Sequence, residues 1–117
     1  YRSDIAITIF LNEPDKYDGG ELVIRTAFGE NSVKLPAGDA VMYPSSSLHQ
    51  VNPVTRGQRI CAITWLQSAV ADSSARALLY DIDCSIRALT PGRAKDDPDI
   101  DRLIHVYHNL LRRWARI

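Results

Sequence analysis

The sequence predicts a mainly β fold followed by two α-helices. As far as residue 66, short runs of β-forming residues are separated by Gly, Pro and Asn clusters, and the first of these runs alternates strictly. From Asp72 onward, apolar residues recur at the spacing of a helix. With 117 residues and 45% hydrophobic content, the chain has the size of one globular domain. We expect a β region over residues 1–70 and a helical extension of the same domain over residues 71–117.

Five segments have the composition of antiparallel β-strands. In the first, Ile5, Ile7, Ile9 and Leu11 share one face, and Ala6, Thr8, Phe10 and Asn12 share the other. The other four are ELVIR (21–25), SVKL (32–35), AVMYP (40–44) and RICAITWL (59–66). A closed jelly roll needs about eight strands, so five would leave sheet edges and one sheet face uncovered. The chain is therefore predicted to be the second half of a domain.

Two helices are predicted after the strands. The first has Asp72 as N-cap and is ended by Thr90, Pro91 and Gly92. Its apolar stripe is Ala75, Leu78, Leu79, Ile82, Ile86 and Leu89. The second has Asp97 as N-cap and Pro98 at its first position, and its stripe is Ile100, Leu103, Ile104, Tyr107, Leu111 and Trp114. This second stripe is too apolar to face water, so it packs on the sheet, on the first helix or on another subunit, and the last option implies a homo-oligomer.

Charge and cysteine content exclude several kinds of partner. Fourteen basic and fourteen acidic side chains cancel, so no overall field favours nucleic acid or an acidic membrane surface. No apolar run approaches the roughly 18 residues of a membrane span, and the N-terminal residues lack the apolar core of a signal peptide. Cys61 and Cys84 have neither disulfide-framework nor zinc-site spacing. We expect a cytoplasmic protein with no nucleic-acid or membrane partner.

One arginine and one histidine stand out as candidate site residues. In a strand over 59–66, Arg59 shares a face with Cys61, Ile63 and Trp65. Burying its charge costs several kcal/mol unless an anion meets it, and a carboxylate fits the two-pronged guanidinium best. His49 lies ten positions earlier, across a turn that contains proline and glycine. We expect it to open toward the cavity that Arg59 faces. An imidazole beside a carboxylate anchor suggests a metal site with an organic acid as co-ligand.

Four ordered blocks of the sequence carry a specific resemblance. They are TIFLN, DGGELVI, KLPAGDAVMYP and SSLHQVNPVTRGQRICAITWLQS. Together they resemble the catalytic domain of iron(II)- and 2-oxoglutarate-dependent dioxygenases of the prolyl 4-hydroxylase type, and SSLHQVNPVTRGQR is most similar to the bacterial PKHD-type hydroxylases. The resemblance extends from Arg2 to about Leu89. It implies the second half of a double-stranded β-helix, or jelly roll, followed by the two helices.

The resemblance also implies roles for individual residues. His49 matches the second histidine ligand of the metal, and Arg59 matches the anchor of the distal carboxylate of 2-oxoglutarate. The positions that match the cosubstrate pocket are Thr8, Phe10, Leu22, Ile63 and Trp65. The family's H-x-D pair of metal ligands does not occur in this sequence. We expect that pair upstream of Tyr1.

The implied activity is oxidative hydroxylation with iron(II) as cofactor and 2-oxoglutarate as cosubstrate. The cosubstrate is decarboxylated to succinate while a small molecule or peptide is hydroxylated, and ascorbate is an accessory ligand. Two other classes of protein stay open. One is a cupin-like module that binds a small anion without redox chemistry. The other is an inactive remnant that lacks the H-x-D ligands.

Overall fold

The computed structural model describes residues 2–116, and the chain forms two compact units whose boundary lies between Gln67 and Ser68. The first unit consists of β-strands and the second contains two helices. This agrees with the predicted mainly β class with C-terminal helices. Across residues 2–116, no helix combines the length and the apolar character that a bilayer span needs.

The first unit contains eight short strands within its described residues. They are β1 (Ile5–Phe10), β2 (Tyr17–Gly19), β3 (Leu22–Thr26), β4 (Gly29–Val33), β5 (Ala40–Pro44), β6 (Leu48–Val51), β7 (Val54–Gly57) and β8 (Cys61–Leu66). A 3₁₀ turn (Pro14–Lys16) precedes β2. All the strands pair antiparallel, in two three-stranded sheets of order β5-β1-β8 and β4-β3-β6 and one two-stranded sheet of β2 and β7.

The prediction of five strands was too low. The strands β2, β6 and β7 are only three or four residues long, and all the residues of β6 and β7 are exposed, so neither gives an apolar alternation. The predicted strand over 32–35 is also displaced, because β4 begins at Gly29. This strand pairs only with β3 and its first four residues are exposed, so polar residues are tolerated there.

The core of the first unit lies between the two three-stranded sheets. It contains Ala6 of β1, Leu22 and Ile24 of β3 and Tyr43 of β5, all at most 9% exposed. On β1 it is the face of Ala6, Thr8 and Phe10 that is fully buried, whereas the isoleucine face is half-buried. This buried face points toward the candidate site.

Both helices begin at the predicted caps. Helix α1 (Ser73–Leu89) follows Asp72, whose side chain accepts a 2.9 Å hydrogen bond from the Ala75 N–H. Helix α2 (Pro98–Trp114) follows Asp97, whose Oδ1 accepts from the N–H groups of Asp99 and Ile100. A short 3₁₀ segment (Thr90–Gly92) ends α1 where the Thr-Pro-Gly sequence predicts.

The predicted apolar stripes are buried only in part. In the second unit, Val70, Ala75 and Leu79 form a core against which Tyr107, Leu110, Leu111 and Trp114 pack. Ile86 and Ile100 are also buried. Leu78, Leu89 and Ile104 of the predicted stripes are exposed. The stripe is wider than the seam that two antiparallel helices cover, which accounts for the difference.

Candidate functional site

The strand pairing brings several predicted site residues onto one face of the β5-β1-β8 sheet. Residues directly opposite in an antiparallel pair project to the same side, and β8 pairs Cys61 with Phe10, Ile63 with Thr8 and Trp65 with Ala6. Cys61, Ile63 and Trp65 therefore lie on the buried face of β1, as their alternation predicts. Thr8 is 2% exposed and Phe10 is fully buried, but Ile63 and Trp65 are each about half exposed.

The opposite sheet supplies the facing wall. Leu22 and Ile24 of β3 pack against Ala6 and Tyr43 across the core, and Leu22 is 2% exposed. Leu22 thus contributes an apolar surface to this core. Its role toward a cosubstrate stays a prediction.

His49 lies in β6, a strand that the sequence analysis did not predict. It belongs to β6 and pairs with Ile24, so its side chain projects to the same face of the sheet as Leu22 and Ile24. No apolar alternation marks this segment, because all four residues of β6 are exposed. The imidazole makes an edge-to-face contact with Tyr43 at 5.0 Å between ring centroids.

The hydrogen bond of His49 sets its tautomer. Its Nδ1 lies 2.9 Å from the Ser47 carbonyl oxygen, which can only accept, so Nδ1 carries the hydrogen. The Nε2 lone pair is then left for another partner. Histidine ligands of metals are typically held in this way, with the second ring nitrogen donating to a carbonyl.

Arg59 lies two residues before β8 instead of at its first position. Asn12 explains the later start, because its side chain donates to the Gln58 carbonyl and accepts from the Ile60 N–H, replacing regular strand pairing. The Arg59 guanidinium carbon lies 5.8 Å from the centre of the Phe10 ring, which places the charge on the buried side of β1.

Among residues 2–116, the Arg59 guanidinium forms no ion pair with a carboxylate. Its Nε is buried and has no hydrogen-bond partner among residues 2–116. A partly buried guanidinium whose Nε lacks a partner carries a desolvation cost that an external carboxylate would offset.

Tyr17 is a residue of this region that the sequence did not predict. Its side chain is 1% exposed and its hydroxyl is buried without a hydrogen-bond partner in the described part of the chain. Burial, and then the nearby Cys61 thiol, raise the pKa of Tyr17, while Arg59 acts in the opposite direction. The only sequence signal is its position directly before the Asp18-Gly19-Gly20 turn.

The side chains of Tyr17 and Arg59 both lie close to Gly20. A Cβ atom at Gly20 would lie 3.1 Å from Tyr17 Cε2 and 3.2 Å from Arg59 Cδ, and the residue has a φ of +70°. Both side chains therefore approach the same point of the backbone, and only glycine leaves room for them in this conformation.

The described residues do not contain a complete metal site. No group of three or more His, Cys, Asp and Glu side chains converges anywhere between residues 2 and 116. His49 offers a single nitrogen, and Arg59 with Tyr17 offers unsatisfied donors for an anion. The donor set fits an organic acid and one ligand of a metal ion.

Comparison with known proteins finds a family match for each of the two units of the chain. Residues 1–67 match the 2OG-Fe(II) oxygenase superfamily, and residues 73–116 match the PKHD-type hydroxylase C-terminal domain. A PKHD-type hydroxylase of Rhizorhabdus wittichii is 58% identical over 114 residues, which are 97% of this chain and 50% of the relative. One of Teredinibacter turnerae is 60% identical over 115 residues, 98% of this chain and 51% of the relative. The chain spans about half the length of these curated relatives.

Proposed function

Because the chain belongs to the 2OG-Fe(II) oxygenase superfamily and resembles PKHD-type hydroxylases along nearly its whole length, we propose that the protein carrying it is an iron(II)- and 2-oxoglutarate-dependent hydroxylase. It decarboxylates 2-oxoglutarate to succinate while it hydroxylates a small molecule or a peptide. The observation that carries this proposal is the buried Arg59 Nε without a protein partner.

Arg59 is the proposed anchor for the distal carboxylate of 2-oxoglutarate. The guanidinium is held over Phe10, and no carboxylate of the described chain neutralises it. A bidentate contact with an incoming carboxylate would supply charge-assisted hydrogen bonds and give the buried Nε an acceptor. Arg59 would thereby orient the cosubstrate relative to His49.

His49 is the proposed iron ligand, through Nε2. Its Nδ1–H donates to the Ser47 carbonyl, which fixes the ring and, in the neutral imidazole, leaves the Nε2 lone pair for a metal ion. We expect the remaining protein ligands to be the H-x-D pair of the family, in a segment that precedes Tyr1. When bound, iron(II) supplies the activation of dioxygen that the reaction requires.

The apolar side chains around the proposed cosubstrate site would limit the access of water to it. Leu22 and Phe10 are buried beside the proposed cosubstrate site, and Thr8 lies between Ala6 and Phe10 on the same strand. Ile63 and Trp65 extend this wall on the neighbouring strand. Apolar walls around the site strengthen the Arg59 contact with its carboxylate, because the local dielectric constant is lower.

We also propose that the strands form the second half of a double-stranded β-helix, with the helices as an extension of the same domain. The two antiparallel three-stranded sheets that face each other across Ala6, Leu22, Ile24 and Tyr43 support this architecture. Ascorbate is the proposed accessory ligand, as the resemblance to the family implies.

The proposal is tested with the complete protein, iron(II) and 2-oxoglutarate. Succinate should form, and replacing Arg59 with Ala should weaken 2-oxoglutarate binding by about 2–4 kcal/mol while iron affinity stays nearly the same. Arg56→Ala is the matched control, because Arg56 lies three residues earlier and pairs with Asp18 on the surface. Equal 2-oxoglutarate affinity in the two variants would reject the anchor. Binding without succinate formation would favour the anion-binding module.

A further inference from the structure

We propose that Tyr17 is a second positioning residue for the cosubstrate, and that its hydroxyl donates a hydrogen bond to the same carboxylate that Arg59 anchors. This inference rests on the proposed function. Tyr17 lies on β2 and Arg59 lies between β7 and β8, so the two donors come from different segments of the chain.

The first argument is that two unsatisfied donors occur together. Buried hydroxyl and guanidinium groups almost always have hydrogen-bond partners, and leaving one without a partner is costly. Tyr17 Oη and Arg59 Nε are two of the three buried side-chain polar atoms without a partner within residues 2–116. Both side chains approach the point that a Cβ of Gly20 would occupy. One carboxylate, with two oxygens and several lone pairs, can accept from both groups.

The second argument is that the Tyr17 ring is fixed while its hydroxyl is not engaged. The Lys34 ammonium lies 4.2 Å from the ring centre and donates a 2.8 Å hydrogen bond to the Tyr17 carbonyl oxygen. These contacts position the ring and its backbone but leave the hydroxyl to a ligand. Burial also raises the pKa of Tyr17, so the phenol remains a hydrogen donor through neutral and mildly alkaline pH.

The experiment uses Tyr17→Phe in the complete protein, because phenylalanine keeps the ring and its contact with Lys34 but removes the hydroxyl. Calorimetric titration with 2-oxoglutarate, anaerobically and with the metal bound, should show an affinity roughly tenfold to a hundredfold lower. The matched control is Tyr80→Phe, since Tyr80 is an exposed tyrosine of α1. Its 2-oxoglutarate affinity should equal that of the unmodified protein.

A second measurement separates a ligand contact from a structural role. If the hydroxyl serves a ligand, removing it relieves an unsatisfied buried group, so ligand-free Tyr17→Phe should unfold at the same or a higher temperature than the unmodified protein. A structural hydroxyl would give the opposite result. Lower thermal stability without ligand, together with unchanged 2-oxoglutarate affinity, would overturn the proposal.

A double substitution tests whether both residues bind one group. In the Arg59→Ala background, Tyr17→Phe should weaken 2-oxoglutarate binding much less than it does alone, because the carboxylate is no longer held in place. Fully additive losses would overturn the shared-carboxylate arrangement. If Arg59→Ala weakens binding and Tyr17→Phe does not, the Tyr17 inference fails while the proposed function stands. If neither substitution changes affinity, the proposed anchor itself is wrong.

Discussion

Replacing His49 by alanine should separate metal binding from folding. His49 is exposed. Within residues 2–116, its imidazole makes a ring contact with Tyr43 and a hydrogen bond to the Ser47 carbonyl. An aromatic pair contributes about 0.5–1.5 kcal/mol and a hydrogen bond about 1 kcal/mol, so the substitution should cost no more than about 2 kcal/mol of stability. A domain with the usual 5–15 kcal/mol remains folded after such a loss.

Iron binding should respond far more strongly. Changing a group that only orients a metal ligand typically lowers metal affinity by about 10–100-fold, and His49→Ala removes the proposed ligand itself. We therefore expect a loss of more than about 100-fold in iron affinity and no measurable succinate formation. His49→Gln should show the same loss of iron affinity and of succinate formation, because the glutamine side chain is polar and of similar length but has no imidazole nitrogen.

The assay measures iron retained by the complete protein after gel filtration, beside chemical unfolding of the same samples. His108→Ala is the matched control, because His108 is an exposed histidine of α2 that makes a similar edge-to-face contact with Tyr107 at 5.3 Å. The control should retain its iron. Full iron content and full turnover in His49→Ala would refute the ligand assignment, and global unfolding would refute the stability estimate.

Two further predictions concern stability. Asp72→Ala should destabilise α1 by about 1 kcal/mol in chemical unfolding, because it removes the acceptor of the Ala75 N–H, whereas Asp81→Ala on the same helix should change little. The raised pKa of Tyr17, caused first by its burial, stabilises the fold fully below pH 10 and loses this contribution as pH rises through the folded-state pKa. Thermal unfolding above pH 10 should therefore decline less steeply for Tyr17→Phe, and parallel pH profiles would contradict this.

The helices could be predicted from the sequence because their signals are local. Asp72 and Asp97 cap the helices within three residues of themselves, and Thr90 to Gly92 end α1 by their own backbone preferences. The extent of burial was less predictable. Leu78 and Leu89 fall on the apolar stripe of α1 but are exposed, since burial depends on how much of the stripe the neighbouring helix covers.

Some of the strands could be predicted from the sequence and others could not. Strand β5 begins and ends where its apolar run predicts, but β6 and β7 contain mostly exposed residues and are strands only because they pair with β3 and β2. Pairing between residues distant in the sequence leaves no periodic signal in a segment of four residues. For this reason, the sequence did not predict that His49 lies on a strand.

The candidate site was also predicted unevenly. Arg59 was identifiable because a charge in line with Cys61, Ile63 and Trp65 conflicts with the alternation of a strand. Tyr17 could not be identified from the sequence, because a tyrosine next to a glycine-containing turn is common in proteins of every function. Lys34, which contacts the Tyr17 ring and carbonyl oxygen, lies 17 residues later, and the nearness of Tyr17 to Arg59 comes from the pairing of β2 with β7.

The unsatisfied donors of Tyr17 and Arg59 are easier to understand as a property of a ligand site than of a core. Each buried group without a partner costs about 1–3 kcal/mol, and a charged group costs more, so a chain folded for stability alone would have apolar residues at these positions. A cosubstrate present at 100 times its dissociation constant stabilises the folded state by about 2.7 kcal/mol, which is of the same order as one such cost. The instability of the empty site and the affinity for a carboxylate then have the same origin, because the same two groups lack partners in one state and gain them in the other.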